Sequence, residues 1–186
     1  MAKGKTVGRK RAPQPAEPTW PDDIFRALKA AGVRQVAYVP DAGHRQLIEM
    51  CHRDNTIRAV PLTSEQEGVA LLAGADLGGE RGALLMQSSG VGNIVNMLGI
   101  ARECRFPMLM LVTMRGQWGE FNPWQVPMGE ATRPVLEAAG VIVEEVDDPA
   151  RIGETVTAMG KLAFDAGRMV AVLISQRVIG FKNWSK

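Results

Sequence analysis

The sequence predicts an α/β domain: a doubly wound, mostly parallel sheet of six strands with helices on both faces. Three observations carry that prediction. Short apolar runs recur along the chain with helical segments between them, the alternation that builds parallel sheets. Two of those runs, 83–86 and 108–113, are almost uninterrupted by polar residues, as strands covered on both faces must be. The 186 residues are enough to bury a substantial core as one domain with tails.

The elements follow in order. Residues 1–19 are basic, then Pro-rich (Pro13, Pro15, Pro18), and lack periodicity; they read as a disordered arm ahead of a domain spanning 20–186. Pro21-Asp22-Asp23 opens a helix to about Ala31, with Ile24, Ala27, Leu28 and Ala31 on one face and Gly32 ending it. Gln35 to Val39 is a strand, and Pro40 to His44 a loop at its carboxyl end. Leu47, Ile48 and Cys51 mark a second helix, and Ile57 to Leu62 a second strand.

The stretch from Thr63 to Asn93 organises the rest. Thr63 or Ser64 caps a helix whose first turn carries Glu65 and Glu67, where the dipole favours negative charge. Val69, Leu71, Leu72 and Ala73 make this helix almost wholly apolar, which suits burial, and Gly78-Gly79 stops it. After the strand at 83–86, Gln87 to Asn93 reads as a small-residue loop. A helix follows from Ile94 to Ala101, then the strand at 108–113 and a long loop from Arg115 to Gly129. A helix from Glu130 to Ala139, a strand near Val141 to Val146, a helix from Pro149 to Ala166 and a strand from Met169 to Ser175 complete the pattern.

Composition excludes several classes. No run of 18 apolar residues occurs, so nothing in the sequence reads as a membrane span. The opening MAKGKTVGRKR lacks the apolar segment of a secretory signal. Cys51 and Cys104 are far apart and in no metal-ligand spacing, as in a reduced, cytoplasmic protein. The net charge of +2 conceals an asymmetry. Five of the 22 basic residues fall within the first 16 positions, which leaves 17 against 20 acidic residues elsewhere. The domain itself is therefore mildly acidic and shows no nucleic-acid surface.

Three loops should meet at the carboxyl edge of the sheet, where such folds place their ligands: 40–44, 87–93 and 115–129. Ser88-Ser89-Gly90-Val91-Gly92-Asn93 is either an ordinary strand-to-helix turn or a place where a ligand approaches backbone and a helix N-terminus. It is neither a Gly-Lys-Ser/Thr phosphate loop nor a full dinucleotide fingerprint. His44 reads first as a surface-loop histidine. Arg115, following a buried strand, can grip a carboxylate, sulfonate or phosphonate in a forked geometry. Trp118, Phe121 and Trp124 either seal the domain or pack on a partner. No metal-ligand cluster and no Gly-x-Ser-x-Gly elbow is present. The residues alone imply a small-molecule site.

Several of these motifs together resemble a known family. They are Val39-Pro40-Asp41; Ser64-Glu65-Gln66-Glu67-Gly68 with Ala73-Gly74; Gln87 through Asn93; and Arg115-Gly116-Gln117-Trp118-Gly119-Glu120, continuing to Gln125-Val126-Pro127-Met128-Gly129. From about Pro21 to Ile179 the chain is similar to the pyrimidine-binding (PYR) domain of thiamine diphosphate enzymes. Within them it most resembles sulfopyruvate decarboxylase alpha subunits, with phosphonopyruvate decarboxylases as kin.

The resemblance implies that Glu65, nine residues before Gly74, is the catalytic glutamate that hydrogen-bonds N1′ of the cofactor's aminopyrimidine. It places Ser88, Ser89, Gly90, Gly92 and Asn93 near that ring. It puts Asp41 and His44 in a loop lining the substrate pocket, where Arg115 and Gln125 suit an anionic tail. The implied cofactors are thiamine diphosphate and Mg2+, but the Gly-Asp-Gly that anchors the metal in such enzymes is missing from this chain. The metal is therefore expected on a separate diphosphate-binding beta subunit, in a hetero-oligomer with two or more alpha chains and an active site between chains. The implied activity is decarboxylation of 3-sulfopyruvate to sulfoacetaldehyde, with phosphonopyruvate or another anionic 2-oxo acid as the alternative. A non-catalytic ligand-binding or regulatory module is the reading from another class.

Overall fold

The structure, a computed structural model, describes residues 20–181; the basic arm at 1–19 lies outside them. Six strands form one sheet: β1 (Val33–Tyr38), β2 (Arg58–Pro61), β3 (Arg81–Gln87), β4 (Met108–Thr113), β5 (Ile142–Val146) and β6 (Met169–Ile174). Their spatial order is β2-β1-β3-β4-β6-β5, and every pairing is parallel. The helices are α1 (Trp20–Ala30), α2 (Arg45–Arg53), α3 (Glu65–Leu77), α4 (Ser88–Cys104), α5 (Val126–Ala138), α6 (Ile152–Phe164) and a short α7 (Gln176–Ile179).

The two faces of the sheet carry separate cores. In β4 every residue is buried, and the side-chain alternation of a strand sorts them. Leu109 and Leu111 join Ile24, Leu28 and Val156 on the α1, α2 and α6 face, while Met108, Met110 and Val112 join Leu72, Ile94 and Leu98 on the α3, α4 and α5 face. Each such buried side chain contributes about 1.5–3 kcal/mol of transfer free energy. The chain runs outward from β1 to β2 and returns to β3, so the strand order reverses between β1 and β3, where α/β sheets open a ligand crevice at their carboxyl ends.

Some boundaries differ from expectation, for local reasons. Gln87 to Asn93 is not a loop: Gln87 caps α4 with an extended backbone, and helix begins at Ser88 directly after β3. Backbone hydrogen bonding outweighs the low helix propensity of Gly90 and Gly92 there, because the helix packs on a buried strand. The long loop after β4 is also shorter than expected, since a 3-10 turn at Pro123–Gln125 leads straight into α5 at Val126. α3 is buried on one face only: Gly68, Val69 and Leu72 face the sheet, whereas Leu77 is 79% exposed. Ser64 occupies the cap of α3 without a side-chain bond; Glu67 instead reaches back to accept from the Thr63 amide. Among the described residues no helix is long and apolar enough to cross a membrane.

Candidate active site

The carboxyl edge gathers two clusters. The first is built by the starts of α3 and α4, which pack side by side. Glu65, the first residue of α3, is buried to 7% exposure. Its Oε2 accepts a hydrogen bond of 2.7 Å from Asn93 Nδ2. Its Oε1 has no hydrogen-bond partner among the described residues and packs against Gly90. Gly90 lies beneath the carboxyl group; a Cβ there would overlap it. Gly92, by contrast, meets only the Met128 thioether, at ordinary contact distance.

The second cluster joins the ends of β1, β3 and β4. Asp41 accepts from Gln87 Nε2 at 3.1 Å and from Thr113 Oγ1 at 2.5 Å, and Gln87 Oε1 accepts from Ser89 Oγ at 2.9 Å. Asp41, Gln87, Thr113, Arg115 and Phe181 line a cleft of about 400 Å3. A larger depression of about 720 Å3 lies between Trp118 and α5, lined by Glu130, Glu145 and Asp147 together with Arg133 and Arg177; Glu65 lines neither it nor the smaller cleft. We centre the site on the smaller cleft because Asp41, Gln87 and Thr113 bring the carboxyl ends of β1, β3 and β4 to its wall.

Arg115 is not the free fork that its position suggested. Its Nε and Nη2 each donate at 2.6 Å to the two oxygens of Glu120, whose side chain is only 3% exposed. Glu120 also accepts from the amides of Gly116 and Asn122 and from Gln176 Nε2. Foremost the Arg115 bond, then these further donors, hold its carboxyl pKa down to about 2, against the opposing effect of burial. Gln176 Oε1 in turn accepts from the amides of Gln117 and Trp118, so the first residue of α7 clamps the loop.

Two other expectations change. His44 is not on the surface: it is wholly buried at the start of α2, with Nε2 bonded to the Leu111 carbonyl at 3.0 Å and Nδ1 without a partner. Burial pushes its pKa down more than nearby Asp41 raises it, so the ring is neutral and turned away from the cleft wall. Ser88 is also fully buried, its hydroxyl accepting from the Arg115 amide at 3.1 Å, which fixes β3 to the loop and leaves no group for a ligand. Asn93 touches Glu65 first, as described. Gln125 carries a buried side-chain oxygen with no partner.

Sequence reasoning missed the roles of Thr113, Glu120 and Gln176. Glu120 stood five residues after Arg115 in a Gly-punctuated loop, a spacing that permits a local pair; nothing in the sequence marked Gln176. Trp118, Phe121, Trp124 and Phe181 are exposed together beside this edge, with Trp118 edge-on to Phe181 and Arg177 over the Trp118 ring. Among the described residues no group of three or more His, Cys, Asp or Glu could hold a metal ion.

Residues 19–122 match the family described as "Thiamine pyrophosphate enzyme, N-terminal TPP binding domain". The chain is 36% identical over 152 residues to the sulfopyruvate decarboxylase subunit alpha of Methanothermobacter thermautotrophicus, covering 81% of this chain and 92% of that one. It is 36% identical over 117 residues to the phosphonopyruvate decarboxylase of Streptomyces viridochromogenes, covering 62% of this chain but only 30% of that protein. Among solved structures, 2-oxoglutarate:ferredoxin oxidoreductase from Magnetococcus marinus superposes with a TM-score of 0.67 at 16% identity, over 87% of this chain and 29% of that one; this likeness speaks for the fold.

Proposed function

The chain belongs to the thiamine pyrophosphate enzyme family through its N-terminal TPP binding domain, and on that premise we propose that it is the alpha subunit of a 2-oxo acid decarboxylase that converts 3-sulfopyruvate to sulfoacetaldehyde and carbon dioxide. One observation carries the catalytic part. A buried glutamate is held on one oxygen by Asn93, while its other oxygen, packed against Gly90, has no hydrogen-bond donor among the described residues. That arrangement, with a glycine where a Cβ would intrude, fits the N1′ edge of an aminopyrimidine. Bound there, thiamine diphosphate supplies the electron sink that accepts the pair left by departing carbon dioxide. Glu65 holds and exchanges a proton at N1′.

The keto acid is assigned to the cleft bounded by Asp41, Gln87, Thr113 and Arg115. Glu120 already neutralises Arg115. The remaining positive charge that an anionic acid requires then comes from a diphosphate-binding beta subunit, which also holds Mg2+ through the Gly-Asp-Gly that this chain lacks. The name "subunit alpha" carried by the full-length relative supports such a partner. The exposed aromatics Trp118 and Trp124 border the same edge and suit its contact surface. A reducing, cytoplasmic setting suits the two free thiols.

Phosphonopyruvate is the second reading, supported by the equal identity to the Streptomyces enzyme. The deciding experiment measures carbon dioxide release from both acids, with thiamine diphosphate and Mg2+, by this chain alone and mixed with a Gly-Asp-Gly partner chain. Release only in the mixture, with sulfopyruvate preferred, is the expected result. Release by this chain alone would overturn the split site. Aldehyde formation by the partner alone would reduce this chain to a structural role.

A further inference from the structure

Glu65 begins α3 on a side chain with three rotatable bonds, so something must decide where its carboxylate points. The structure supplies two constraints from α4, and neither has a role elsewhere in the fold. Asn93 stands in the second turn of α4 and grips Oε2. A carboxylate only accepts, so the Asn93 amide must present its NH2 group to it, which fixes the orientation of both side chains. Gly90, one turn earlier, gives the carboxyl group the only space it occupies.

The kind of donor matters as much as its position. A neutral amide orients a carboxylate without adding positive charge that would oppose its taking up a proton. The contrast lies within the same chain: Glu120, gripped by a guanidinium, is kept ionised far into acid. We infer that Asn93 and Gly90 are positioning residues for the reaction: Asn93 holds Oε2 and Gly90 makes room for the carboxyl group, so that Oε1 is left without a protein donor and the carboxylate stays free to exchange its proton. Asn93 thus acts through Glu65. The inference rests on the assignment of Glu65 above.

The test uses the reconstituted two-subunit enzyme and four variants: Glu65→Gln, Asn93→Leu, Asn93→Asp and Gly90→Ala. The primary readout is exchange of the C2 proton of bound thiamine diphosphate into D2O after acid quench, a step that needs no substrate. Asn93→Leu is near-isosteric but lacks the donor. We expect its exchange rate and kcat to fall together by about 10- to 100-fold, as for loss of a hydrogen bond to a charged group. KM for the keto acid and affinity for the cofactor should stay within about 2-fold, since the pyrimidine edge adds little to a diphosphate-anchored ligand. Gly90→Ala should show the same signature. Asn93→Asp can donate only when protonated, so its exchange rate should rise as pH falls, opposite to the parent enzyme.

Failure of this inference is distinct from failure of the assignment beneath it. Slow exchange in Glu65→Gln with parental exchange in Asn93→Leu removes the positioning role and keeps Glu65. Parental exchange in Glu65→Gln removes both. If Asn93→Leu does not fold, the pH profile of Asn93→Asp decides, and a profile parallel to the parent overturns the inference.

Discussion

Two carboxylates sit at the same edge of the sheet and are treated in opposite ways. Glu120 receives donors from Arg115, Gln176 and two backbone amides, until its acceptor capacity is filled. Glu65 receives one side-chain donor among the described residues, and its other oxygen packs on Gly90 without one. The first arrangement spends every lone pair on holding the loop that ends the cleft. The second leaves a buried acid under-coordinated, which costs stability and makes sense only where a ligand completes the shell. Saturation suits a structural carboxylate, and incompleteness suits the reactive role proposed for Glu65.

The largest effect expected on this contrast is in turnover. Glu65→Gln keeps shape and removes the exchangeable carboxylate, so decarboxylation by the reconstituted enzyme should drop by about 10²- to 10⁴-fold with little change in melting temperature. Retained activity would merge the two carboxylates into one structural class. Arg115→Ala should do the reverse in the first instance, by leaving Glu120 buried and unpaired. That costs about 3–5 kcal/mol, which calorimetry would read as a fall of about 6–20 °C in Tm. A fall of a degree or less would mean that the clamp is not what holds the loop.

The glycines sharpen the comparison at smaller scale. A Cβ on Gly129 would run into the Arg115 carbonyl and stand 2.9 Å from Gly116 Cα, backbone that cannot move aside. Gly129→Ala should therefore lose about 1–3 kcal/mol of stability in denaturant titrations. At Gly90 the obstacle is the Glu65 side chain from Cγ to Oε1, which must turn aside but is not backbone. Gly90→Ala should cost less than about 1 kcal/mol in stability while impairing the reaction. Equal stability losses at the two sites would contradict the distinction.

The smallest effect is in acid. The Glu120 carboxyl titrates near 2 in the folded chain against an ordinary 4.5, so its contribution is fully present above about pH 5 and is lost as pH falls toward 2. Glu120→Gln should flatten the acid limb of the stability profile over that window. An unchanged limb would assign acid sensitivity to other groups.

Much of this molecule was legible in the sequence because hydrophobic periodicity is a local property. The run from Met108 to Thr113 could only be a central strand, and the alternation of strands with helices could only close as a parallel sheet. The residues alone left Glu65 as an N-terminal helix carboxylate; only the family resemblance singled it out, and the structure places it buried beside Asn93. The pairings were not legible, since they join residues far apart in the chain. Asn93 to Glu65, Asp41 to Thr113 and Gln176 to Glu120 exist because neighbouring strands deliver their carboxyl ends to one edge. The same packing buried His44 under β4 and closed the Arg115 fork on Glu120, where sequence reasoning saw a surface histidine and a free guanidinium. Composition and periodicity determined the class of fold. Which polar groups are consumed by the protein and which remain for a ligand was decided by tertiary structure, because desolvation and hydrogen-bond geometry depend on what lies within a few ångströms and not on order along the chain.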